Sequence, residues 1–167
     1  PDQTSQNVPP HWGLYINVVD VDATTKKVPE LGGKILMGPM DIADAGRMSV
    51  LADPQGATFC LWQANVHCGI QLKDEANTFC WGELLTTDTS SAMDFYSRLL
   101  GYKTETSDTG GMRDYTIFIS ETGPSAGMMA ITEEMGPIPP NWVIYFQVDD
   151  CVDSERKAKE LGANIMV

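Results

Sequence analysis

A chain of 167 residues, 43% of them hydrophobic, can bury one substantial core or form two or more small modules that share one. Its net charge of -12 repels phosphate backbones, which argues against a nucleic-acid partner and favours cationic ones. No apolar run approaches the roughly 18 residues that cross a bilayer. Residues 1–7 also lack the basic start and apolar stretch of a signal peptide.

Residues 1–10 are polar and Pro-terminated and read as an arm. Residues 12–19 are rich in β-branched and aromatic side chains and predict a strand. Asp20 or Asp22 can cap a helix that reaches about residue 31, with Pro29 expected to kink or shorten its last turn and Gly32 to end it. Strands are predicted over 34–37, 46–52 and 57–62. The second and third are joined by Asp53-Pro54-Gln55-Gly56, a type I turn pattern. The first unit, residues 11–63, is therefore β-α-β-β-β.

After a linker at 64–77 the same order recurs over 78–132. A strand is predicted at 78–85, followed by a helix capped by Asp88. The apolar positions of that helix, Ala92, Phe95, Tyr96 and Leu99, recur at three- and four-residue spacing. Further strands are predicted at 103–106, 115–120 and about 127–131, with turns at 109–111 and 121–124. A second linker, 133–140, leads to residues 141–167, which predict strand, helix and the start of another strand.

The chain also repeats itself. Pro9-Pro10-His11-Trp12-Gly13-Leu14-Tyr15 returns without a gap, 130 residues later, as Pro139-Pro140-Asn141-Trp142-Val143-Ile144-Tyr145. A repeat at such an interval marks one supersecondary unit used more than once. The chain thus comprises two complete modules and about half of a third, and reads as an incomplete member of its kind.

These features resemble the vicinal oxygen chelate superfamily, also called the glyoxalase, bleomycin-resistance and extradiol dioxygenase superfamily. The resemblance is carried in the first module by Val19-Asp20-Val21-Asp22-Ala23, Glu30-Leu31-Gly32-Gly33, Gly46-Arg47 and Ala52-Asp53-Pro54-Gln55-Gly56-Ala57. In the second it is carried by Thr87-Asp88, Asp94-Phe95-Tyr96 and Leu100-Gly101-Tyr102. The order of modules is similar to that of tandem hydroxylase-like members of actinobacterial antigen type. The resemblance implies an α+β fold of βαβββ modules, whose curved mixed sheets pair to enclose a cavity. It also implies that the first module pairs with another, either the second one or a copy across a homodimer.

Many members of that superfamily hold a divalent metal. Carried over to this chain, their ligand positions fall on Gly13, Cys60, Trp81 and Met128 or Met129, none of which is a usual oxygen or imidazole ligand. His11 and His67 read as surface residues. No metal or other cofactor is therefore expected. Cys60, Cys68, Cys80 and Cys151 form no CxxC pair and read as free thiols of a cytoplasmic protein.

Strand alternation extends the same positions to a candidate ligand-binding set: Tyr15, Asn17, Cys60, Trp62, Trp81 and Glu83. A carboxylate between Trp81 and Leu85 is costly to bury unpaired, which makes Glu83 the weak candidate for catalysis. Three functions follow. The first is metal-free binding of a small organic molecule in an aromatic-lined cavity, with loss of binding expected for Trp81→Ala. The second is a metal-dependent lyase, isomerase or dioxygenase, and the third is sequestration of a cationic drug of bleomycin type.

Overall fold

The computed structural model describes residues 10–109 and 112–166. In chain order they form β1 (Tyr15–Asn17), α1 (Val21–Glu30), β2 (Lys34–Ile42), β3 (Gly46–Ala52), β4 (Thr58–Ala64), β5 (Phe79–Thr86), α2 (Thr89–Leu100), β6 (Lys103–Thr109), β7 (Met112–Ser120), β8 (Gly123–Ala130), β9 (Asn141–Phe146) and α3 (Cys151–Glu160). A single 3-10 turn, Glu133–Met135, lies between β8 and β9.

Local chemistry accounts for the helix ends. Asp20, Asp88 and Asp150 each accept a hydrogen bond from the backbone N–H three residues on, at 2.8, 2.9 and 2.8 Å. Pro29 sits in the last turn of α1, and the helix ends one residue later. Gly32, at φ +86°, then turns the chain so that the Gly33 N–H reaches back to the Val28 carbonyl at 2.9 Å. The predicted turn at 53–56 forms. Asp53 Oδ1 accepts from the Gln55 and Ala57 N–H groups at 3.0 and 2.9 Å.

The strands assemble into two mixed sheets, ordered β1-β4-β3-β2 and β6-β7-β8-β5-β9. In the first sheet β1 runs parallel to β4, placing Tyr15 beside Cys60 and Asn17 beside Trp62. In the second, β5 runs parallel to β8 and antiparallel to β9, with Gly82 opposite Ile144 and Glu83 opposite Val143. The third module thus joins the second strand to strand. The first module joins them differently. The helix-covered faces of both sheets meet in one core, in which Val21 and Val28 of α1, Phe95 and Tyr96 of α2, Leu61 of β4 and Trp142 of β9 pack together.

A buried hydrogen-bond chain ties the three modules. The Trp142 Nε1–H donates to the Tyr96 hydroxyl at 3.0 Å, and that hydroxyl donates to Asp53 Oδ2 at 3.2 Å. Burial pushes the Asp53 carboxyl above its ordinary range despite these donors, and holds the Tyr96 hydroxyl well above its own.

Two expectations are corrected. The strand predicted over 12–19 is only Tyr15–Asn17, because β1 is an edge strand with a partner on one side. The strand predicted after α3 does not form among the described residues, which run through 163–166 without a pairing partner, so the third unit is βα where βαβ was expected. The first module packs on the second through helices and core side chains. The arm at 1–9 and the turn at 110–111 lie outside the described residues.

Candidate functional site

The open edge of β1 borders a cavity of about 1090 Å³. Six consecutive residues, from Trp12 to Asn17, line it. A cavity flanked by consecutive residues of a strand follows its edge, since a sheet face would present only every second side chain. The walls come from both sides of that edge. Met48 and Trp62 belong to the first sheet, Gly82, Trp142, Ile144 and Phe146 to the second, and the segment 67–70 with Leu72 borders the cavity as well.

Aromatic side chains shape this wall. Trp62 is buried and lies over Gly46, where an added Cβ would come within 2.4 Å of the indole ring. Its Nε1–H donates to the His67 carbonyl at 2.9 Å, and its ring meets Tyr15 edge-on at 6.2 Å between centroids. Trp12 meets Phe146 edge-on at 5.0 Å. The Tyr15 hydroxyl is raised above its ordinary pKa, first by partial burial and then by Cys60 beside it. Burial likewise pushes the Cys60 thiol up, which makes it a poor thiolate. Asn17 and Asn77 supply amides, and Thr78 and Ser125 hydroxyls, to a wall that is mostly apolar.

The six predicted site residues therefore separate. Tyr15, Asn17 and Trp62 line the cavity. Cys60 lies behind them, buried against Met48 and Trp62. Trp81 and Glu83 are together, as alternation requires, but outside the cavity. Past the irregularity after Phe79, the face of β5 turned to the first module carries Gly82 and Leu84, so Trp81 and Glu83 point off the opposite face.

On that opposite face they meet residues that strand periodicity alone did not single out. The Tyr145 hydroxyl of β9 donates to Glu83 Oε1 at 2.9 Å. The Trp81 Nε1–H donates at 2.8 Å to the Tyr115 hydroxyl of β7, which lies on the same face as Glu83 and has its pKa raised by it. Both phenols are pushed up to about 12, first by partial burial, with Glu83 adding to it. Gly127 makes the arrangement fit, since a Cβ there would come within 1.8 Å of the Tyr115 hydroxyl. The available signal for Tyr145 was the repeat, which equates it with Tyr15.

The family's metal positions do not form a donor set. Gly13 has no side chain, Cys60 is buried as a thiol, Trp81 uses its one heteroatom as a donor to Tyr115, and Met128 is fully buried in the core. Among the described residues no three His, Cys, Asp or Glu side chains come together to hold a metal ion. His67 is exposed, with its ring against Trp62. No described helix is long and apolar enough to cross a membrane.

Residues 1–61 match the family model of the glyoxalase/bleomycin resistance protein/dioxygenase superfamily. CFP32 of Mycobacterium tuberculosis, which carries a provisional glyoxylase name, is 37% identical over 99% of this chain and 63% of its own length. The chain belongs to this superfamily. The anthracycline biosynthesis protein DnrV of Streptomyces peucetius is 36% identical over 99% of this chain and 59% of its own. The chain thus spans about three fifths of the length of these superfamily relatives. Its fold matches that of the manganese-bound glyoxalase of Novosphingobium aromaticivorans, with TM-score 0.58, 18% identity and coverage of 90% of this chain and 52% of that one. It also matches 2,2',3-trihydroxybiphenyl 1,2-dioxygenase of Sphingomonas wittichii, with TM-score 0.56, 15% identity and coverage of 90% and 58%.

Proposed function

We propose that this superfamily member binds a planar, largely apolar organic molecule along the edge of β1 without the superfamily's divalent metal. The observation that carries this reading is the cavity of about 1090 Å³ bordered by Trp12, Tyr15, Trp62, Trp142 and Phe146, with the Asn17 amide as a polar element. Cavities of this size, mostly apolar with a few placed polar groups, suit compounds of several fused rings. The name of the relative DnrV, an anthracycline biosynthesis protein, directs the choice toward aromatic polyketides.

The test is a titration of the full chain with an aromatic polyketide, followed by quenching of tryptophan fluorescence. Tyr15→Ala removes an exposed ring from the cavity wall and weakens binding at least about tenfold, the scale of one lost aromatic contact. Trp81→Ala, on the other face of the second sheet, leaves the affinity within twofold. The reverse pattern overturns the location. Elemental analysis that finds about one Mn, Fe, Ni or Zn per chain overturns the metal-free part and restores the lyase or dioxygenase reading.

A further inference from the structure

Glu83 is 8% exposed, yet among the described residues it makes no ion pair with Lys, Arg or His. A carboxylate held this deep with no counter-ion among the described residues is costly. The Tyr145 hydroxyl, donating at 2.9 Å, offsets part of that cost, and the Tyr115 hydroxyl stands close enough for Glu83 to raise its pKa. Tyr115 accepts from Trp81, so its single proton is available to Glu83. Even two phenol donors leave acceptor capacity on a carboxylate, which has about four lone-pair sites. Trp81, Tyr115 and Tyr145 share the sheet face of this acceptor, and the bare backbone of Gly127 lets the Tyr115 hydroxyl and the indole nitrogen sit close against β8.

We propose that Glu83, Trp81, Tyr115 and Tyr145 form a receptor for an organic ammonium group, on the face of the second sheet opposite the cavity described above. The carboxylate supplies the missing counter-charge and accepts an ammonium N–H. The ring faces attract the same cation through their quadrupoles. The chain's charge of -12 raises the local concentration of cations around it. Phenols pushed up to about 12 stay protonated near neutral pH, so they orient the carboxylate and add no competing negative charge. Sequestration of a bulky drug in the cavity is a separate matter; this receptor recognises the amine itself.

The experiment compares two probes of equal length, butylammonium chloride and butan-1-ol, against the full chain at matched ionic strength. Two-dimensional NMR follows the indole N–H signals. The ammonium probe is expected to shift the Trp81 indole signal while leaving that of Trp62 in place, and to bind at least about tenfold more tightly than the alcohol. Glu83→Gln is expected to abolish that preference, and Tyr145→Phe to weaken the ammonium probe several-fold. Equal binding of the two probes overturns the proposal, as do shifts centred on Trp62 or a folded Glu83→Gln protein that keeps the preference. If Glu83→Gln fails to fold, the probe ratio in the unmodified chain and in Tyr145→Phe decides. These readouts are independent of the β1 cavity, so either site can fail alone.

Discussion

The segments around β1 and β9 share the Pro-Pro-x-Trp-x-x-Tyr motif and occupy opposite environments. Trp142 is 9% exposed and bonded to Tyr96, whereas its counterpart Trp12 is 73% exposed and touches Phe146. Tyr145 donates to a buried carboxylate, whereas Tyr15 lies against a thiol. The difference follows from pairing. β9 lies antiparallel on β5 across six residues, and that register sets Tyr145 opposite Trp81 and close to Glu83. β1 pairs on one side only, over three residues, and its other edge borders a cavity. A motif specifies a strand with aromatic positions; the neighbouring strand decides whether those rings become core, network or wall.

The comparison is broken most directly by truncating both tryptophans. Trp142→Ala should cost about 3–5 kcal/mol in urea unfolding, the usual loss for a large buried ring, and Trp12→Ala less than about 1 kcal/mol. Equal losses would mean that the two segments are equally packed. Gly127→Ala should cost about 1–3 kcal/mol by forcing Tyr115 and Trp81 off β8, with a shift in Trp81 fluorescence.

Tyr96→Phe should cost about 1–3 kcal/mol, because it removes an acceptor from Trp142 and a donor from Asp53. Asp53 adds a pH dependence. Its folded carboxyl is raised, so the folded state binds a proton more readily than the unfolded chain. Its contribution is full below the ordinary carboxylate range and is lost as pH rises through the raised value. The stability advantage of the unmodified chain over Asp53→Asn should therefore shrink as pH rises above the ordinary carboxylate range; an advantage that grows would contradict burial as the dominant cause. The smallest effects separate the tyrosines. Tyr145→Phe should cost about 0.5–1.5 kcal/mol, and Tyr15→Phe should fall within about 0.5 kcal/mol.

Much of the fold was legible because its signals are local. The capping aspartates Asp20 (one of two candidates) and Asp88, the turn at 53–56, the 3–4 spacing of Ala92, Phe95, Tyr96 and Leu99, and the 130-residue repeat each depend on residues close in sequence or on plain identity. Strand ends were less legible. β2 continues to Ile42 and β8 begins at Gly123, because pairing with β3 and β7 carries them through Gly and Pro. Of the candidate site, alternation correctly placed Trp81 with Glu83 and Cys60 with Trp62 on shared faces. It could not say which faces meet.

Backbone periodicity and capping act over a few residues, so the βαβββ module and the residues that share a strand face could be read from the chain alone. Long-range packing set how the first two modules meet through their helix-covered faces and how β9 takes the edge of β5. Those choices depend on the burial of side chains far apart in sequence, such as Val28, Phe95 and Trp142. They divide one expected aromatic cavity into an apolar groove along β1 and a carboxylate network around Glu83.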